Sequence, residues 1–372
     1  MSREIDRFPR WMLSYYALAG VCVCTTAMHI PDGYLSPVTC LLMFALVLPF
    51  WIRGVQKLRE RVSARNIPIV ALFAAFSFVL MMFNVPLPGG TTGHAVGGAL
   101  AAIILGPEIA TIAVTVALVI QAFFFGDGGI LALGANSFNM AVVLPYVSFA
   151  VYQAFSKNEA LNSKRRIVGA AIGGWAGLTI ASFFAAVEFG VQPLLWHTAD
   201  GTPLYAPYPL SVSIPAMVIP HALIASVVEG LVSALVVAYL IRANASALAT
   251  VNPQLAPEAI VLAKWRALWA GLAALIVITP IGLLAPGTAW GEWGAEELKS
   301  RGLPFIPKGF AQLSGLWSAP MADYDVPALG NAGIGYILSA AVGVVTIVGV
   351  VWLFGMLATG GREPQSEILT GK

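Results

Sequence analysis

Apolar residues come in long, nearly unbroken blocks separated by short polar connections, without the strict alternation of a half-buried strand. The blocks run roughly over residues 38–55, 68–86, 94–105, 108–125, 130–154, 167–188, 212–240, 267–285 and 334–358. A stretch of about 18 apolar residues or more is long enough for a helix to cross a bilayer. The pattern therefore predicts an all-α, polytopic transmembrane helical bundle with nine spans. The third block is short for a full crossing and reads as a tilted or partial span.

Charges sort by connection. The segments Arg53 to Arg65, Lys157 to Arg166 and Arg242 to Arg266 are rich in Lys and Arg. The segments Gly33–Pro37, Leu87–Gly93, Gly126–Gly129 and Phe189–Leu210 carry neither. Under the positive-inside rule the first set is cytoplasmic and the second external. Alternation through nine spans keeps that assignment, with residue 28 outside and the 361–372 tail in the cytoplasm. The long external loop 286–333 holds Lys299, Arg301 and Lys308, but long loops obey the rule poorly. A polar, Ala- and Pro-containing cytoplasmic linker, 243–266, divides the chain. Before it lies a seven-span unit, 28–242; after it lies a two-span unit, 267–360. No internal repeat suggests the paired halves of a secondary transporter.

Composition agrees. Of 372 residues, 58% are hydrophobic and only 10% charged, far too little charge for a soluble domain. No basic tract interleaved with aromatics points to nucleic acid. No phosphate loop, His-Glu-x-x-His or Gly-x-Ser-x-Gly is present, so ATPase and hydrolase chemistry have no support.

Residues 1–27 read as a signal peptide or a misassigned start. Arg3, Arg7 and Arg10 precede the apolar run Trp11 to Cys24, and Thr25-Thr26-Ala27 ends in small residues. An uncleaved first span is the alternative. Cys22 and Cys24 lie in this leader, which leaves Cys40 alone and excludes an internal disulfide after cleavage.

Removal of residues 1–27 would make Met28-His29 a chelator. The Met28 amine, the His29 amide nitrogen and the His29 imidazole Nδ1 form linked five- and six-membered rings. Three such nitrogens favour the tetragonal or square-planar sites of Ni(II) and Cu(II). His94, after Pro88-Gly89-Gly90-Thr91-Thr92-Gly93, falls on the same side of the bilayer. It reads either as a fourth nitrogen or as a helix-terminal histidine satisfied by loop carbonyls. Asp127, in Gly126-Asp127-Gly128-Gly129, either orients a ligand histidine or caps the helix starting near Ile130. Asn136 and Asn139 share a helix face and need partners. His221, within a span, is a functional candidate, with packing the alternative; Glu188 stands beside the site, and Glu229, deep in the seventh span, either pairs across helices or faces a partner subunit. His197 reads as solvated.

Met28-His29-Ile30-Pro31-Asp32-Gly33-Tyr34-Leu35 together with Gly90-Thr91-Thr92-Gly93-His94 resembles the CbiM/NikM family. Its members are substrate-binding (S) components of energy-coupling factor (ECF) importers for cobalt and nickel. Phe125-Gly126-Asp127-Gly128-Gly129, Leu133-Gly134-Ala135-Asn136 with Asn139-Met140, Glu188-Phe189-Gly190 with Gln192-Pro193, and Ser213-Ile214-Pro215-Ala216-Met217 with His221 extend the likeness to about residue 240. The resemblance implies that Met28, His29 and His94 bind the metal, with Asp127, Asn136, Asn139, His221 and Glu188 around them. It implies Ni2+ or Co2+ as transported substrate and no catalytic cofactor. It also implies partners: a transmembrane coupling (T) component and cytoplasmic ABC-type ATPase subunits, in the lipid of the cell inner membrane. Small residues such as Gly169 to Gly177 offer faces for such partners. Thr288-Ala289-Trp290-Gly291-Glu292-Trp293 and Ala322-Asp323-Tyr324-Asp325-Val326-Pro327 resemble the small N component (CbiN/NikN-like), here fused. Trp290 and Trp293 also fit interfacial anchoring. The rival readings are a stand-alone secondary divalent-metal transporter and an intramembrane metalloenzyme.

The chelate exists only if Met28 is the N-terminus. Active protein purified from its membrane is therefore expected to show an intact mass that begins at Met28; a mass retaining residues 1–27 would remove the amine donor.

Overall fold

Prolines, glycines and the polar breaks between apolar blocks set where each helix starts and stops. The computed structural model describes residues 28–62, 64–87, 91–243, 265–285 and 288–359. The leader 1–27, Pro88-Gly89-Gly90, nearly all of the 243–266 linker and the 361–372 tail lie outside the described residues.

Helix α1, Pro37–Arg61, starts where Ser36 Oγ accepts the Thr39 N–H at 3.1 Å and Pro37 fills the first turn. One face buries Cys40, Met43, Val47 and Leu58, while Val38, Leu41, Leu42 and Leu46 stay exposed as a lipid-facing surface requires. Helix α2, Ile67–Met81, is buried along almost its whole length. A short antiparallel hairpin follows, β1 Val85–Leu87 and β2 Thr91–Gly93, with Val85 opposite Gly93. Beyond it come α3, Gly98–Leu105, then α4, Pro107–Phe125, α5, Leu133–Ser156, α6, Lys164–Leu195, α7, Leu210–Ala243, and α8, Arg266–Leu284. The loop after α8 carries two short helices, α9 Ala295–Ser300 and α10 Lys308–Leu313. Helix α11, Ala332–Thr359, closes the described chain.

All nine apolar blocks have a helical counterpart, and among the described residues seven helices are long and apolar enough to cross a membrane. The protein is an all-α, multi-pass membrane bundle. Two blocks give shorter helices: the second, whose α2 has 15 residues, and above all the third. Its helix, α3, has 8 residues, about 12 Å at ~1.5 Å per residue, and His94 lies ahead of it, between the hairpin and its first turn. The hairpin itself was not legible: three-residue strands with Pro86 in one of them give almost no alternation to read.

Three wide π turns interrupt the long helices, at Gln121–Phe125, Ser137–Val143 and His221–Ala225. Such bulges gather at functional sites, and here they hold Gln121, Asn139 and His221.

The glycines of α6 serve the chain's own packing. A side chain on Gly173 would come 2.7 Å from the Ser148 carbonyl of α5, and one on Gly174 would come 2.9 Å from the Gly230 Cα of α7. The stripe expected to receive partner subunits is thus covered by α5 and α7. Helix α11 lies along α2, with Tyr336 OH donating to the Met82 carbonyl at 2.9 Å.

Gly174→Val is expected to wedge α6 from α7 and to cost about 1–3 kcal/mol by overpacking. Gly271→Ala, where a side chain would meet nothing within 4 Å, is expected to leave thermal unfolding in detergent unchanged, and comparison of the two melting curves checks this.

Candidate metal centre

The segment ahead of α1 runs inward. Met28, His29, Ile30, Tyr34 and Leu35 are all buried. Extended chain in an apolar setting must find partners for its backbone polar groups, and this segment finds them on four other elements. Asn136 of α5 clamps Ile30 from both sides: its Oδ1 accepts the Ile30 N–H at 2.8 Å and its Nδ2 donates to the Ile30 carbonyl at 3.1 Å. The Gly129 N–H also donates to that carbonyl, at 2.9 Å. Tyr34 OH donates to the Trp293 carbonyl at 2.9 Å, and the Ser36 N–H donates to Gln192 Oε1 at 3.0 Å.

Asp32 settles one of the open alternatives. Its carboxylate accepts the N–H groups of Ile130, Leu131 and Ala132 at 3.0, 2.8 and 3.2 Å, so it caps the chain entering α5. The capping role considered for Asp127 belongs to Asp32. Gly33, at φ +94°, makes the bend that turns the chain from this cap into α1, with the Phe310 backbone so close that a side chain would clash.

Asp127 faces His29 instead. One carboxylate oxygen contacts His29 Nδ1. The other accepts from Tyr324 OH at 2.5 Å and from Gln121 Nε2 at 3.2 Å. Burial alone would raise this carboxyl, but the His29 ring beside it and the hydrogen bonds from His29 and Tyr324 bring it down to about 2. With Asp127 against Nδ1, the edge of the His29 ring that faces away from it carries Nε2.

His94 lies beside that ring, with centroids 5.0 Å apart and planes inclined by 39°. Its Nδ1 meets the Ala95 carbonyl at 3.2 Å. The Nε2 atoms of His29 and His94 are both buried without a protein partner. Two unpartnered imidazole nitrogens at one place are what a metal ligand pair looks like before the metal is added. Among the described residues no three His, Cys, Asp or Glu side chains are arranged to hold a metal by themselves.

His94 is held from below by Glu229. The Glu229 carboxylate, fully buried in α7, accepts the N–H groups of Val96, Gly97 and Ala99 at 2.8, 2.7 and 3.0 Å. It caps α3 and fixes the strand of chain that carries His94. Of its two expected roles, pairing across helices is the one these hydrogen bonds match.

Of the other expected residues, Asn139 donates to Glu188 at 2.9 Å, and this pair joins α5 to α6 apart from the histidines. His221 turns its Nδ1 to its own helix, 2.8 Å from the Met217 carbonyl. His197 is exposed, as expected.

Three residues of the centre were missed: Gln121, Tyr324 and Glu292. Glu292 Oε1 accepts the His29 N–H at 3.1 Å. Burial and the nearby Asp127 charge hold Glu292 well above the ordinary carboxylate range, against the lowering effect of the His29 N–H. Glu292 sits between Trp290 and Trp293, and both of these are buried. Trp290 packs on Tyr208 at 4.6 Å and on Phe189 at 5.6 Å, and Arg301 lies 4.3 Å above Trp293. Interfacial anchoring is therefore not their role. The loop after α8 packs on the seven-helix unit and brings Glu292 and Tyr324 to its histidines.

These features describe a multi-pass bundle with a buried imidazole pair beside an inserted chain segment. The chain belongs to the family of the cobalt uptake substrate-specific transmembrane region (CbiM), whose model matches residues 29–247; residues 264–360 match the PDGLE domain. It is 52% identical over 335 residues to a "Fused nickel transport protein NikMN" of Rhodobacter capsulatus, covering 86% of this chain and 95% of that protein. A "Probable fused nickel transport protein LarMN" of Lactiplantibacillus plantarum is 42% identical over 322 residues, covering 84% and 93%. A solved truncated transition metal transporter is 49% identical, with a TM-score of 0.54, and matches 57% of this chain and 98% of its own.

Asn136→Ala is expected to strip the Ile30 N–H of its side-chain partner at a cost of about 1–3 kcal/mol. Hydrogen exchange at Ile30 should quicken accordingly. Asn139→Ala, whose amide serves Glu188, should leave exchange there unchanged.

Proposed function

We propose that this protein is the metal-capture component of an ATP-driven importer for nickel or cobalt. One observation carries the reading: a buried N-terminal segment sets His29 against His94 with an unpartnered nitrogen on each ring. The relatives named for nickel transport support the substrate class. The ion is held by the Met28 amine, the His29 amide and imidazole, and His94, in a protein whose mature chain begins at Met28. A planar set of four nitrogens favours Ni(II).

The seven-span unit, 28–242, is the capture module. Residues 267–360 form the accessory module, joined to it through 243–266. Residue 28 lies on the outer side of the cell inner membrane and the C-terminus lies in the cytoplasm. Energy comes from separate transmembrane coupling and ATPase subunits. A stand-alone proton-coupled transporter would need ionisable groups free to relay across the bundle. Glu229 is committed to three backbone N–H groups and His221 to the Met217 carbonyl, which argues against it.

In the chelate, the metal takes the places of the protons now shared between His29 and its two carboxylates, Asp127 and Glu292. The Nδ1–Asp127 contact also favours a second reading. With Asp127 behind Nδ1, the metal is held by the Nε2 atoms of His29 and His94, in the carboxylate–histidine–metal arrangement.

Nickel titration of purified protein separates the two. Acetylating the Met28 amine turns it into an amide and leaves no terminal nitrogen beside His29. The chelate then loses at least 100-fold in affinity, whereas an Nε2 pair is unaffected. For the native end, α-amines bind protons near pH 7.7–8.0, or about that in water. Protons therefore compete more strongly as pH falls, and affinity drops steeply from about pH 8 to 6. An acetylated protein that binds as tightly as the native one, with the same pH slope, excludes the N-terminal chelate.

A further inference from the structure

Next to the paired histidines the structure holds a cavity of about 360 Å³. His94 lines its floor, and three carboxylates line its walls: Asp127, Glu292 and Asp323. Among the described residues that line it there is no Lys or Arg. The three carboxylates are graded in exposure, since Asp323 is exposed while Glu292 and Asp127 are half-buried. The first stands at the mouth and the others stand against His29.

Asp323 and Tyr324 are both left-handed, at φ +54° and +59°. Non-glycine residues hold such a conformation only where surroundings enforce it. Here Tyr324 is pinned by its hydroxyl on Asp127 at 2.5 Å and by Ser339 Oγ donating to its carbonyl at 2.8 Å. Tyr324 also stacks on Phe125, 4.7 Å away. The strained pair presents Asp323 to the cavity from a firm base.

The carboxylates are not arranged to chelate a bare ion, since no such cluster occurs among the described residues. The space suits a hydrated one. Six waters at roughly 30 Å³ each take about 180 Å³, which fits within the 360 Å³ cavity.

We propose that this cavity is a second, transient cation site, in which Asp323 and Glu292 receive a hydrated divalent ion through its water shell before it passes to the histidines. The inference rests on the His29–His94 reading for the ion's destination. Both receiving carboxylates belong to the loop after α8. That loop therefore acts on the rate of loading through charge, beyond its packing against the bundle. Because the ion leaves this site, its loss slows loading and release together and leaves the final equilibrium in place. Clefts of one sign raise the arrival rate of an opposite ion by about 10-fold or more, and salt weakens the effect.

The test is stopped-flow binding of Ni(II) to the purified full chain, begun at Met28, at low and high salt. Asp323→Asn is expected to lower the association rate about 3- to 10-fold and to flatten its salt dependence, with the equilibrium Kd within about twofold of the parent, following the loss of one steering charge. Asp323→Lys should slow it further. Wild-type rate and salt dependence in both variants overturn the proposal. So does loss of equilibrium binding in Asp323→Asn, which would make Asp323 a ligand of the final site. His94→Ala is measured alongside: unchanged equilibrium affinity there overturns the histidine site itself, an outcome distinct from a normal rate in the Asp323 variants.

Discussion

An extended segment buried in a membrane bundle has no helix or sheet of its own to satisfy its backbone, and the architecture around the candidate metal centre answers that constraint. Ile30 is held by Asn136 and Gly129, the His29 N–H by Glu292, and the chain around Tyr34 and Ser36 by Trp293, Ala206 and Gln192. Each unsatisfied buried group would cost about 1–3 kcal/mol. Losing several of these bonds would undock the segment. The position of His29 is thus set by partners far away in sequence, from α5, α6 and the loop after α8.

The same logic places His94 from the other side. A hairpin leads into it, and Gly97 at φ +78° turns the chain into α3. The freed N–H groups of this turn are collected by one carboxylate, Glu229. A buried carboxylate with three donors is well compensated. The two histidines are therefore fixed independently, one by amides and carboxylates around the inserted segment, the other by a capped broken helix. Their meeting leaves both Nε2 atoms with nothing to bind.

Charge is concentrated where the two parts of the chain meet. Asp127 comes from the seven-helix unit, Glu292 and Asp323 from the loop after α8. Carboxylates close together in a poorly solvated place repel one another, and burial with the neighbouring Asp127 charge raises both Glu292 and Asp323. A cation relieves that repulsion. The aromatic packing of Trp290, Trp293 and Tyr324 holds the loop where its carboxylates face the histidines. Structural packing and attraction for a cation are thus built into the same segment.

The apolar blocks by themselves determined the nine helical segments, because the bilayer demands a length of hydrocarbon-compatible helix that composition alone reveals. That His29, His94, Asp127 and Asn136 belong near one another was also legible, since imidazoles, loop carboxylates and buried amides carry their chemistry in their identity. Tertiary structure decided the rest. Asp32 and Asp127 both sit in glycine-flanked turns, and nothing local says which one caps α5 and which one meets His29. Asn139 and Asn136 share a helix face, yet only Asn136 reaches the inserted segment. Glu229 lies 135 residues from His94 in the chain and still fixes its position. Glu292 lies 263 residues from His29 and looks like any loop glutamate. A hydrogen bond forms through space between groups a few ångströms apart, and folding, not local sequence, decides which distant groups come that close.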